Sequence, residues 1–363
     1  MASDGTAPYI EVNGRRIGPG EPTYIIAEMS GNHNGSYDRA ARILEACANA
    51  GVDAVKLQTY TADTLTINSD ADIFHVGGDN TWAGTTLHAL YEEAHTPWEW
   101  QPKLKKLADD MGVDLFSSPF DFTATDFLDD MDVPAFKVAS FECIDPPLVS
   151  YIASKGKPVF MSTGMASLSQ IDKAVKAARE AGAGNGKLLL FKCVSSYPAP
   201  AEAMNLNTIP HLAKAFNVPT GLSDHTLGTE VPLAAVALGA RAIEKHVTLS
   251  RADGGVDSQF SLEPKELKGM VQQIRTIEDA LGDVFYGVTK WEESNKVFQR
   301  SLIITEDVKA GEVFTPDNLR SIRPGYGLSP EFIGDVIGRT AGRDIERGTP
   351  LAWDLVAGAP SST

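Results

Sequence analysis

TYIIAEMSGNHNGSYDRAARILEACANAGVDAVKLQ, residues 23–58, holds one full period of the pattern that decides the fold. TYIIAE (23–28) is short, apolar and β-branched, and reads as a strand. Residues 37–50 carry apolar side chains at three- and four-residue spacing and read as a helix stopped by Gly51, and DAVKLQ (53–58) is the next strand. The alternation continues outward, with strands expected at 113–117, 135–140, 158–163, 187–193, 220–225 and 242–247, and helices such as 168–181 and 231–239 between them. Strands this uniformly apolar are buried on both faces, as in a parallel sheet covered by helices. Eight strand–helix units over roughly 250 residues are the arithmetic of an α/β (β/α)₈ TIM barrel. A doubly wound open sheet is the alternative, but no glycine-rich dinucleotide fingerprint follows the first strand.

Two stretches break the rhythm. Residues 59–96 form a long, polar connection with NSD at 68–70, GGDN at 77–80 and Trp82, and loops of that length in a compact domain are usually functional or disordered. The barrel pattern stops at Gly282, which gives expected boundaries of 1–282 for the barrel domain, 283–299 for a linker and 300–357 for a small β-rich domain (SLIIT, EVF, SIRP, TPL). A domain so small is expected to lean on the barrel or on a second subunit, and GAPSST at the end reads as disordered. The 363 residues carry 32 basic and 48 acidic side chains, a net charge of −16, which excludes nucleic acid and anionic membrane as natural partners. An apolar share of 43% is that of a globular chain. No run approaches the ~20 apolar residues of a membrane span. The N-terminus lacks the features of a signal peptide, and three scattered cysteines suit a reducing compartment, so a cytoplasmic protein is expected.

Active sites of such barrels lie at the C-terminal ends of the strands, and nearly every expected strand ends in a polar residue. Glu28, Lys56, Ser118, Lys137, Ser140, Ser162, Lys192, Ser195, Ser223, His225, Lys245 and His246 all fall there. Lysines inside the apolar runs AVKLQ and FKVAS are costly unless an anion meets them, so a basic pocket for a phosphate or carboxylate ligand is expected. His225 and His246 end consecutive strands, ~4.8 Å apart in a sheet. They would converge on one divalent ion or else be two hydrogen-bonded core histidines; two imidazoles do not select one metal, though Mn²⁺ suits them. Glu28 is either a general acid–base group facing the same bowl or the salt-bridge partner of Lys56.

These residues sit in AEMSGNHNGS (27–36), VKLQTY (55–60), SSPFD (117–121), KVASFE (137–142), STGMAS (162–167), SSYPAP (195–200), GLSDHT (221–226) and EKHVT (244–248). In this order the chain resembles the sialic acid synthase family, which joins phosphoenolpyruvate to an amino-sugar aldehyde, and RPG (323–325) lies in a tail similar to that family's antifreeze-like (SAF) domain. The resemblance implies that Lys56, Ser118, Lys137, Ser140, Ser162, Ser195 and Ser223 hold phosphoenolpyruvate, with a metal, Mn²⁺ or alternatively Mg²⁺ or Co²⁺, on His225 and His246. It implies sugar contacts from Glu142, Tyr197 and Asp257, proton movement by Glu28 and Asp257, and a domain-swapped homodimer in which Arg323 reaches the partner's site. Within the family, LTINSD (65–70), the glycine–tryptophan element at 77, 78 and 82, LYEEAHTPWEW (90–100) and serine at 195 resemble the branch that uses 2,4-diacetamido-2,4,6-trideoxy-L-altrose. The alternatives are sister synthases for legionaminate or N-acetylneuraminate and, outside enzymes, a carbohydrate- or ice-binding protein.

Overall fold

The computed structural model describes residues 8–78, 82–184 and 186–358. The N-terminal residues 1–7, positions 79 and 80 of the GGDN element, and the tail beyond 358 lie outside that description. The chain divides after Gly282 into two compact units.

The first unit opens with a hairpin of β1 (Ile10–Val12) and β2 (Arg15–Ile17). The turn residues Asn13 and Gly14 both have positive φ, 46° and 76°, the geometry for which Asn-Gly is chosen. Eight strands then close a parallel barrel: β3 (Tyr24–Glu28), β4 (Ala54–Thr59), β5 (Asp114–Pro119), β6 (Phe136–Val138), β7 (Val159–Ser162), β8 (Leu188–Cys193), β9 (Thr220–Asp224) and β10 (Ala242–His246). This is the expected TIM barrel. The fourth strand is shorter than its apolar run suggested and ends at Val138, so Ser140 sits in the turn that follows. Helix α1 (Tyr37–Ala50) is capped by Ser36, whose side chain accepts from the Arg39 amide, and ends at Gly51 with φ 86°.

Inside the barrel, Phe160 stacks on Phe116 at 5.3 Å, Phe191 at 5.8 Å and Tyr24 at 6.0 Å. Three of these rings lie two residues before Ser118, Ser162 and Cys193 on their own strands, hence on the same face one pleat lower. An aromatic layer therefore floors the space into which those residues point. The hairpin buries Ile10, Val12 and Ile17 in the same core from the other end, each worth about 1.5–3 kcal/mol of burial.

The connection at 59–96 is not the polar loop its composition suggested. It folds into α2 (Ala62–Leu65) and α3 (Leu87–Ala94), with an isolated bridge between His75 and Thr86. The second unit pairs β11 (Ser301–Ile304) with β12 (Leu319–Ile322) around its own core, which includes Leu302, Ile304, Phe314, Leu319 and Leu351. The pieces EVF and TPL form single bridges there, Val313 to Thr340 and Pro350 to Ile303, rather than strands. Among the described residues no helix is long and apolar enough to cross a membrane.

Candidate active site

Strand register brings the chemistry together. Glu28 is paired with Lys56 on one side and with His246 on the other, and Ser223 is paired with Glu244 and Cys193. A cavity of about 420 Å³ opens over the aromatic floor, within the usual range for a small-molecule site. Glu28, Lys56, Ser118, Lys137, Ser140, Glu142, Ser162, Tyr197, Ser223, His225, His246 and Asp257 all line it. Ser195 is not on the wall, but its hydroxyl lies 2.8 Å from that of Ser140. Gly164 makes room for the pair, because a Cβ there would come within 2.5 Å of the Ser195 oxygen. Arg323 belongs to the second unit, directly after β12.

The pocket differs from the basic one expected. Lys56 Nζ stands 2.8 Å from Glu28 Oε2 and 3.7 Å from Glu244 Oε1, and Lys137 Nζ is 3.8 Å from that same Glu244 oxygen. Lys56 also donates to Ser118 (3.2 Å), Lys137 to Ser162 (2.7 Å), and Ser223 to Glu244 (3.0 Å). Two ammonium groups thus face two buried carboxylates. Burial opposes ionisation of Glu244, but Lys137 and Lys56 outweigh it and hold the carboxyl below its ordinary range. Burial pushes Glu28 up against the pull of Lys56, and pushes the Lys137 ammonium down. Glu142, which burial raises to about 7, keeps one oxygen without a hydrogen-bond partner, as does Glu244.

Glu244 escaped the sequence reading, although it stands in EKHVT two residues before His246 and so on the same face of its strand. Lys245 was grouped with the site and does not belong to it. It points to the outer layer, fully buried, where it meets Asp224 at 2.5 Å and donates to the Thr226 carbonyl. Lys192 likewise donates to its neighbour's carbonyl, that of Cys193, and is absent from the wall. Gln58 and Ser30 were also missed: Gln58 donates to Glu28 Oε1 at 2.8 Å and to the Ser30 hydroxyl at 3.0 Å, and Ser30 in turn donates to Asp257. A hydrogen-bonded chain therefore links the two carboxylates singled out for proton movement.

His225 and His246 face each other with ring centres 5.2 Å apart. His225 Nδ1 lies 2.8 Å from the Val194 carbonyl, to which it donates, and the ring also hydrogen-bonds the Cys193 thiol. His246 is held well below its ordinary range by burial and then by His225, so it is neutral, and its Nδ1 is buried without a hydrogen-bond partner. Among the described residues no group of three or more His, Cys, Asp or Glu has metal-binding spacing. Burial pulls His225 down, but Cys193 beside it outweighs burial and raises the ring above its ordinary range. Two imidazoles side by side, one with an orphaned nitrogen, fit a divalent first-row ion that draws its other ligands from water and substrate.

A closed parallel barrel with paired lysines, carboxylates and imidazoles at its strand ends, followed by a small β-rich unit, defines a recognisable class of protein. The chain belongs to the NeuB family, whose model matches residues 43–286, and residues 299–357 match the SAF domain. It is 43% identical over 328 residues to the pseudaminic acid synthase of Campylobacter jejuni (strain 81-176), covering 90% of this chain and 95% of that one. It is 33% identical over 339 residues to the N,N'-diacetyllegionaminic acid synthase of Legionella pneumophila, covering 92% and 94%. The solved N-acetylneuraminic acid synthetase of Leptospira borgpetersenii, crystallised with citrate, superposes with a TM-score of 0.71 at 30% identity, covering 81% and 96%.

Proposed function

We propose that this chain is a transferase that condenses phosphoenolpyruvate with 2,4-diacetamido-2,4,6-trideoxy-L-altrose to give pseudaminic acid and phosphate. The observation that carries the chemistry is the pair of buried ammonium groups, Lys56 and Lys137, ringed by serine hydroxyls over one cavity. They stand 3.7 and 3.8 Å from Glu244, beyond hydrogen-bond distance, so their N–H groups can still turn to a ligand. A phosphate or carboxylate arriving there can take ammonium and hydroxyl donors from both lysines and the serines around them. The identity with the Campylobacter enzyme, ten percentage points above that with the legionaminate enzyme, favours the L-altro sugar.

Ser118, Ser140, Ser162, Ser195 and Ser223 fix the enol phosphate, so that its C3 faces the aldehyde carbon of the open-chain sugar. A C3–C1 bond forms, and the aldehyde oxygen takes up a proton to become a hydroxyl. Water adds to the oxocarbenium carbon at C2 and gives its proton to Glu28. The C2–O bond then breaks, phosphate leaves with the bridging oxygen, and the ketone cyclises. Glu142, Tyr197 and Asp257 hold the sugar, and Asp257 and Glu28 move protons, each held in place by the Ser30 and Gln58 hydrogen bonds. A divalent ion, which relatives of this family imply and which we assign as Mn²⁺, would be held by His225 and His246 and would polarise the aldehyde carbonyl. A cytoplasmic location fits the three unpaired, buried thiols Cys47, Cys143 and Cys193.

Oxygen-18 placed in the bridging position of phosphoenolpyruvate is expected to depart with phosphate, and kcat/KM should be highest for the L-altro sugar among diacetamido hexoses and N-acetylmannosamine. Retention of label in the sugar refutes the route; preference for another aldehyde refutes the substrate. A binding protein without catalysis would release no phosphate at all.

The working form is a domain-swapped homodimer in which Arg323 completes the partner's sugar site. Supporting it, the loops after the barrel strands expose Phe122, Phe141, Ile144, Met165, Leu168 and Leu227, while residues 283–299 expose Val284, Tyr286 and Trp291. Mixing and co-refolding Glu28→Gln chains with Arg323→Ala chains should restore up to about a quarter of wild-type activity, because half the dimers are mixed and each keeps one intact site. No recovery would mean that each chain uses its own Arg323.

A further inference from the structure

Helix α3 (Leu87–Ala94) turns an apolar stripe towards the active-site cavity. Leu87, Leu90, Tyr91 and Ala94 stand at i, i+3, i+4 and i+7, the spacing with which a surface helix covers a core. Yet none of the residues of α3 is buried, and all four of these line the active-site cavity instead. The helix is firmly placed: the Thr86 hydroxyl caps it by accepting from the Ala89 amide at 3.2 Å, and His88 is tied to Asp63 on α2 at 3.1 Å. Tyr91 meets Tyr60 edge-on at 5.7 Å and Tyr60 meets Phe120 at 5.3 Å, which carries the apolar wall across to β4 and β5.

The cavity is therefore two-faced. The strand ends present lysines, carboxylates and hydroxyls, and α3 presents hydrocarbon. Phosphoenolpyruvate, ionic throughout, belongs to the first face. A hydroxyl pressed against Leu87 and Leu90 would lose its water and find no partner in either side chain. A volume of about 420 Å³ admits a hexose and excludes a polypeptide, so the stripe is not waiting for a protein partner.

From this juxtaposition we infer that α3 is the specificity element for the sugar, receiving the end of the aldehyde that carries methyl in place of hydroxyl. The inference rests on the condensation proposed above and names which part of the acceptor is read by which part of the fold. Discrimination comes from the contrast of the two substituents: a methyl gains burial on Leu87 and Leu90, while a hydroxymethyl at the same place is stranded. Leu90 sets the contact and takes no part in bond making.

The test measures phosphate release from phosphoenolpyruvate with pairs of N-acetylated aldohexoses that differ only in methyl or hydroxymethyl at C6, one pair being 2,4-diacetamido-2,4,6-trideoxy-L-altrose and its 6-hydroxy counterpart. Wild type should prefer the methyl member of whichever pair it uses. Leu90→Asn should lower kcat/KM for that member by roughly 10- to 100-fold, leave the 6-hydroxy member unchanged or improved, and leave KM for phosphoenolpyruvate unaltered. Glu92→Gln, on the opposite face of α3, should keep the wild-type ratio, and Leu90→Met should restore most of it. An unchanged ratio in Leu90→Asn overturns the inference with the substrate assignment intact. Turnover of a different hexose pair overturns the substrate assignment while the methyl preference of that pair still judges α3. Failure with every aldose overturns both.

Discussion

Glu28→Gln is expected to turn over about 10²–10⁴ times more slowly than wild type, with KM for phosphoenolpyruvate changed by no more than a factor of a few. The sequence left Glu28 as either an acid–base group or a partner for Lys56, and the structure makes it a neighbour of Lys56 that still opens onto the cavity. Burial raises its carboxyl pKa, which makes the carboxylate a better proton acceptor than a solvated one, and Gln58 holds it in place at 2.8 Å. Glutamine keeps the volume and one acceptor oxygen, so the wall of the cavity is preserved. What it removes is the capacity to take a proton. Breaking a buried pair commonly costs about 3–5 kcal/mol of stability, but here Lys56 retains Glu244 at 3.7 Å, so the thermal midpoint should fall less than that range implies. Steady-state phosphate release and a melting curve on the same preparation separate the roles. Near-normal kcat with a large drop in melting temperature would make Glu28 a structural counter-ion and nothing more.

Most of the barrel was legible because its signal is repeated. Each strand is an apolar run bounded by a helix stop, and eight such runs admit few other closures. The strand-end lysines, serines and histidines were legible for the same reason, since the C-terminal ends of parallel strands share one mouth. Partnership across the barrel was not legible. AVKLQ shows a lysine that needs an anion, but Glu244, the carboxylate waiting beside it, stands nearly two hundred residues away in a strand read for its histidine. Lys245 and His246 are adjacent in sequence and face opposite layers; the period of two would have separated them had the register been anchored on His246. The 59–96 segment misled for a different reason. Averaged over its length it is polar, while the four side chains that form the stripe of α3 line up only once 87–94 is helical. The N-terminal hairpin carried a readable sign, Asn-Gly between IEV and RRI, that a search for leader sequences passes over.

The double substitution His225→Ala/His246→Ala should abolish stoichiometric binding of a divalent ion and lower phosphate release by about 10³-fold or more, the several kcal/mol that polarising a carbonyl contributes. The fold should survive. His246 Nδ1 has no hydrogen-bond partner to strand, and loss of His225 leaves the Val194 carbonyl and the Cys193 thiol without it, a cost of about 1–3 kcal/mol for the carbonyl. That asymmetry distinguishes the two readings of the pair. Core histidines are kept for their hydrogen bonds, and removing them should show chiefly as lost stability. Here the buried His246 ring is neutral, packed edge-on against Phe260 at 5.0 Å, and its Nδ1 makes no hydrogen bond, Asp257 standing 4.0 Å away, an arrangement that costs desolvation. A ligand that claims the free nitrogen recovers the cost. Elemental analysis of wild type and variant, each stripped with chelator and dialysed against Mn²⁺, reads the outcome directly. Equal stoichiometry in the two proteins would remove the metal from these residues, and the orphaned nitrogen of His246 would then need a different ligand, one delivered by the sugar itself.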